Sequence, residues 1–180
     1  MRFDEATIAG LFVVDIEPHV DERGFFARTW CAREFAAAGL AQRMVQGSIS
    51  FNNKAGTLRG LHFHAARFKQ ARLVRVVRGA AFMACVDLRP DSPCYLDNFT
   101  ISVDADEHRA IYTPPGIGLG FQTLTDDTLI YYLMPEFYAP PEERGVRWND
   151  PAFGIDWPDA QRTINERDAN YPDYDESVLV

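Results

Sequence analysis

The segment GTLRGLHFH (56–64) brings together the residues most able to do chemistry. On a strand, alternate side chains share a face, so Arg59 and Leu61 are expected to point one way. Leu58, Gly60, His62 and His64 then point the other. Two imidazoles on one face beside an arginine suit three purposes. They could be hydrogen-bonded side chains of a core or rim, ligands to a metal, or a proton-transferring base with a cation close by.

The rest of the chain must position them. Its 180 residues, 47% hydrophobic and 13% aromatic, are expected to form one domain, 1–180, with a sizeable core. Short runs rich in β-branched and aromatic residues recur, with turn signals between them: 11–16, 48–52, 57–64, 71–79, 80–88, 95–103, 109–113 and 128–134. Such spacing predicts an all-β sandwich or barrel. Helical pattern is confined to CAREFAAAGL (31–40) and a turn near INERDAN (164–170). With 18 Lys plus Arg against 26 Asp plus Glu, the net charge of −8 argues against a nucleic-acid binder. It leaves room for a small anion held by a few local cations. No apolar run is long enough to span a membrane, and MRFDEATIAG does not read as a secretory signal. Cys31, Cys85 and Cys94 show no pairing pattern and read as thiols of a reducing cytoplasm.

A histidine pair on one strand of a β-rich chain points to a cupin-type β-jelly roll with a few short helices. Metal-binding cupins place a Gly, then His-x-His, then a Glu, and later Pro-x-Gly-x-x-His. Gly56, His62 and His64 fit the first motif, but Phe68 and Lys69 stand where the Glu belongs. Pro114 and Gly116 open the second, but Leu119 occupies its histidine position. Two candidate ligands fall short of the three or more that a metal site commonly uses, so no metal is expected.

The chain also resembles the dTDP-4-dehydrorhamnose 3,5-epimerase family of the cupins. The pieces that carry the resemblance are DERGFFARTW (21–30), Gln46 to Ser50, GTLRGLHFH (56–64), ARLVRVVRG (71–79) and VDLRPDSP (86–93), followed by TPPGIGLGF (113–121), YAPPEERGVRWNDPAFGIDWP (138–158) and NERD (165–168). They occur in the family's order and cover most of the chain. The resemblance implies epimerisation at C3, C5 or both of a 4-keto-6-deoxy nucleoside diphosphate sugar, with no cofactor, in a cytoplasmic homodimer. It makes His62 the base, Asp168 the acid that orients it, and Tyr132 the proton donor on the opposite face. It places Arg72 near the substrate oxygen, where the family usually has lysine. It assigns Arg23, Arg59 and Gln46 to the nucleotide diphosphate, and Phe26 and Tyr138 to the nucleotide end. His64 stands where glutamine is common.

Three departures bear on function. Leu119 and Met83 replace a family histidine and aspartate, so two polar groups give way to apolar ones. Arg28 stands where a glutamate is frequent, and it can donate to a base but not accept from one. Two rivals remain open from sequence: a metal-dependent cupin oxygenase or isomerase, and a nucleotide-sugar-binding protein without catalysis.

Overall fold

The computed structural model describes residues 1–41, 43–158 and 161–179. In chain order its first elements are β1 (Arg2–Glu5), β2 (Phe12–Asp15), β3 (His19–Asp21), β4 (Gly24–Phe26), α1 (Ala32–Ala37), β5 (Gln46–Asn52) and β6 (Leu58–His64). Then come β7 (Arg72–Arg78), β8 (Ala80–Asp87), β9 (Asn98–Asp104), β10 (Ala110–Thr113), β11 (Ile117–Thr123), β12 (Thr128–Met134), β13 (Glu143–Gly145) and α2 (Glu166–Ala169). Two antiparallel sheets face each other, ordered β1-β2-β10-β7-β12-β5 and β13-β6-β11-β8-β9. This is the expected cupin-type jelly roll. β3 and β4 form a separate two-stranded hairpin.

The sheets meet over a core of Val74, Val76, Met83, Cys85, Ile111, Leu119, Phe121 and Ile130. Alternation decides which side chains join it. Ile130 of β12 and Val74 and Val76 of β7 point inward, whereas Leu73, Arg75, Tyr131 and Leu133 line a cleft on the outer face. α1 covers part of that outer face by burying Phe35 against Leu73, Val14 and Tyr112. The C-terminal third covers the back of the smaller sheet, where Leu61, Phe63 and Phe153 are buried. All three cysteines are free, as expected. No helix among the described residues is long and apolar enough to cross a membrane.

The predicted strands all appear, with ends moved by a few residues. Five strands escaped prediction: β1, β3, β4, β11 and β13. β11 matters most, because it lies between β6 and β8 at the centre of the smaller sheet. Its sequence IGLGFQT follows Pro114-Pro115-Gly116 and reads as a turn region. The glycines have a packing reason. A Cβ on Gly60 of β6 would lie 2.6 Å from the Gly120 Cα and 2.8 Å from the Leu119 carbonyl oxygen. Gly60 also has φ +117°, a conformation that favours glycine.

That crossing corrects one expectation. Leu119 pairs with His62 and Phe121 with Arg59, so three steps on β6 match two on β11. The extra residue is a bulge, and it resets the alternation. Arg59 therefore faces the same cavity as His62 and His64, while Leu58, Leu61 and Phe63 are buried.

Candidate active site

A cavity of about 440 Å³ opens between the two sheets. β6 contributes Arg59, His62 and His64, and β11 contributes Leu119 and Phe121. From the facing sheet come Arg72 of β7 and Tyr132 and Met134 of β12. Tyr138 and Glu143 close the rim.

His62 Nε2 lies 2.9 Å from Asp168 Oδ1. Asp168 is fully buried, and its second oxygen accepts the Gly60 N–H at 3.0 Å. α2 delivers it: the Asn165 side chain caps the helix by accepting the Asp168 N–H at 2.7 Å, which turns the carboxylate inward. Burial pushes the Asp168 carboxyl up, but the His62 hydrogen bond and charge, the Gly60 N–H and Arg167 hold it below the usual carboxylate range. Asp168 is thus an ionised acceptor at neutral pH, and His62 Nε2 must carry the proton. The lone pair is then on Nδ1. Tyr171 packs edge-on to the His62 ring, 6.0 Å between centroids. Gly145, paired with His62 across β13 and β6, leaves space for it: a Cβ there would fall 2.2 Å from the Tyr171 ring.

Tyr132 approaches from the opposite sheet. Burial raises its hydroxyl pKa above the ordinary value, against the pull of Arg72 and Arg59, so the group is a proton donor at neutral pH. Its neighbour Tyr131 lines the outer-face cleft instead, as strand alternation requires.

Arg72 is buried, and burial lowers its pKa. Its Nη1 donates to the His62 carbonyl at 3.4 Å and its Nη2 to His64 Nδ1 at 3.0 Å. Arg59 is steadied by Asn52, whose Oδ1 accepts its Nε–H at 2.9 Å. Gln46 does not line the cavity but braces its rim, accepting the Tyr138 backbone N–H at 2.9 Å, while the Tyr138 hydroxyl donates to Glu143 at 3.2 Å.

Asn52 and Glu143 escaped sequence reading. Glu143 sits within the quoted 138–158 segment, beside another acid, and nothing in the pattern marks it as the one facing the cavity. In the structure it pairs with His64 across β13 and β6 and accepts from Tyr138 and Arg167.

Three expected residues lie elsewhere. Arg23, on the β3–β4 hairpin, pairs with Asp21, and its side chain is 82% exposed. Phe26 is also exposed and, with Arg28, lines a separate cleft beside Glu17, His19 and Glu34. Arg28 Nη1 meets Glu34 at 3.3 Å. The hairpin pairs with neither main sheet, so within one chain it cannot bring these residues to the cavity. Met83 and Leu119 do come together. Leu119 pairs with Cys85 and Phe121 with Met83 across β11 and β8, which makes them diagonal neighbours in one apolar cluster. Among the described residues no group of three or more His, Cys, Asp or Glu could hold a metal ion.

The jelly roll thus sets a histidine–carboxylate pair on one wall of the cavity and a protonated tyrosine on the other, with two arginines lining the same space. Residues 5–176 match the family model described as dTDP-4-dehydrorhamnose 3,5-epimerase, and the chain belongs to that family. A dTDP-4-dehydrorhamnose 3,5-epimerase of Methanothermobacter thermautotrophicus is 36% identical over 173 residues, 94% of this chain and 92% of that protein. The crystal structure of the Elizabethkingia anophelis enzyme of the same name superposes with a TM-score of 0.92 at 29% identity, covering 97% of this chain and 96% of that one. A 3′-monoepimerase from Streptomyces bikiniensis, solved in complex with dTDP-quinovose, gives 0.86 at 32% identity over 93% and 85% of the two chains.

Proposed function

We propose that this protein epimerises a 4-keto-6-deoxy sugar carried on a nucleoside diphosphate, at C3, C5 or both. The observation that carries the proposal is the placement of His62–Asp168 and Tyr132 on opposite walls of one cavity. A hydrogen on carbon next to a ketone is acidic only if the enolate is stabilised. His62 Nδ1 takes that proton, and the C–H electron pair moves into the ring bond as charge gathers on the C4 oxygen. Asp168 stabilises the imidazolium so formed. Arg72 faces the oxyanion. The Tyr132 hydroxyl then returns a proton to the same carbon from the other face, which inverts it. The tyrosinate left behind lies near two cations, Arg72 and Arg59.

The active form we propose is a homodimer of one-domain chains working in the cytoplasm. The hairpin exposes Val20, Phe25 and Phe26 at 76, 49 and 74%, and edge strand β5 exposes Ile49 at 68%. A second copy would cover these side chains. It would also let Arg23, Phe26 and Arg28 reach a nucleotide at the cavity mouth of the partner. Arg59 and Tyr138 line this chain's own cavity for the diphosphate and the base.

The deciding experiment offers a panel of 4-keto-6-deoxy sugar nucleotides in heavy water and follows deuterium at C3 and C5 by NMR. Deuterium entering with inversion supports the proposal. Tight binding of the same panel with no exchange would leave a nucleotide-sugar-binding protein instead.

A further inference from the structure

Arg72 carries a full charge inside the cavity wall at 8% exposure, yet among the described residues no carboxylate lies within ion-pair distance of it. Both its contacts are on β6: the His62 carbonyl and the His64 ring. A guanidinium has five N–H donors, so two anchor points leave others for a ligand. It cannot accept, so His64 Nδ1 must hold the lone pair. The ring is therefore neutral. His64 is 9% exposed and lies against Phe68 with centroids 5.2 Å apart. Burial, then the charges of Arg72, His62 and Arg144, push its pKa down to about 4.

We infer that His64 is a positioning residue, whose neutral ring fixes the Arg72 guanidinium toward the substrate oxyanion without cancelling its charge. The inference rests on the function proposed above and adds the element that aims its electrostatic step. A carboxylate in the same place would hold arginine more tightly. It would also neutralise the cation that the enolate needs. With no acceptor at all, the long side chain would sample several rotamers, and its donors would no longer be set before charge develops. A neutral acceptor on a central strand avoids both defects.

His64 has a second neighbour. A further cavity of about 440 Å³ lies on its other side, lined by Phe68, Lys69 and Arg89. His64 borders both cavities, so its ring also shields Arg72 from that side.

The test compares three variants. His64→Leu keeps bulk and removes the acceptor. It should lower kcat for exchange about 10- to 100-fold, the scale of a catalytic group displaced by an ångström, with KM changed less than about threefold. His64→Gln restores a neutral acceptor and should recover most of that loss. His64→Glu restores an acceptor with charge and should stay as slow as the leucine variant. Nitrogen-15 NMR of the wild-type protein should show His64 unprotonated at Nδ1 at neutral pH. Equal kcat in leucine and glutamine variants, or a glutamate variant as fast as glutamine, would overturn the role. So would an active wild type with a proton on His64 Nδ1. A wild type that exchanges nothing sinks the proposed function, and this role with it, even where the NMR confirms the tether.

Discussion

Asp168→Asn is expected to stop proton abstraction while leaving both sheets folded. The wild-type carboxylate accepts two hydrogen bonds in a fully buried site, from Gly60 at 3.0 Å and His62 at 2.9 Å. Asparagine has the same shape but one acceptor and one donor. If its oxygen faces His62, its amide nitrogen faces the Gly60 N–H, and a buried donor goes unpaired at a cost of about 1–3 kcal/mol. If its oxygen faces Gly60, its amide donates to His62 Nε2 and drives the imidazole proton to Nδ1, the atom that must act as base. The second arrangement keeps both hydrogen bonds and should prevail. Loss of a general base costs about 10²–10⁴-fold, and the comparable tautomer error in Ser-His-Asp hydrolases costs about 10⁴. Solvent exchange read by NMR should therefore fall at least 100-fold, on the order of the lower bound for a lost base. The pH dependence of stability gives an independent check. Asp168 is held below its unfolded value of 3.8, so its ionised pairing contributes in full above that range and is lost as pH falls through the folded pKa. The variant lacks this loss. Its stability deficit against wild type should narrow below about pH 4, measured by denaturant titration. Exchange within threefold of wild type would show that the dyad is not the base, whatever the stability data say.

Tyr132→Phe should separate deprotonation from inversion: deuterium still enters from the His62 side, with configuration retained. Inverted product at the wild-type rate would remove Tyr132 from the donor role. Purified protein should keep full activity in excess chelator, because His64 Nδ1 is already engaged by Arg72 and Leu119 offers no ligand. Activity lost with chelator and regained with one metal equivalent would contradict this. Arg28→Glu should shift preference toward dTDP and UDP, which share an imide N–H, over CDP by roughly threefold to tenfold in calorimetry, the worth of one base hydrogen bond. Its exposed pair with Glu34 opposes this only weakly. An unchanged order across the series would confine Arg28 to that ion pair.

The sheets were legible because their strands are long runs of β-branched and aromatic residues, as in TLIYYLM, whose bounds 128–134 match β12. β11 was hidden because two of its seven residues are glycines: Gly120 makes room for the close crossing of β6, and Gly118 packs against Leu88. The facing of Arg59 was hidden for the same local reason: a bulge is one extra residue, and alternation carries no trace of it. Asp168 was legible only through the family resemblance. In NERD it stands among charged neighbours and reads as solvated. Its burial depends on the Asn165 cap and on docking of α2 against β6, which are tertiary facts. The hairpin residues are the opposite case: the resemblance named them with residues from which this single chain keeps them apart.

The apolar pair Met83 and Leu119 shows why a changed site need not be a damaged one. Leu119 pairs directly with His62 and Met83 sits diagonally from it across β8, both inside the inter-sheet core. Replacing only one member of an interacting histidine–aspartate pair would strand the other as an unpaired buried charge, at several kcal/mol. Replacing both removes the charge and its partner together and leaves side chains that pack. Met83 and Leu119 then offer no donor beside the base. Charge developing on the substrate is left to the cavity's arginines, of which Arg72 on the facing sheet is the buried one. That shift of electrostatic burden onto the guanidiniums is the setting in which a neutral His64 acceptor on Arg72, in place of the commoner glutamine, becomes part of the proposed mechanism rather than of the scaffold.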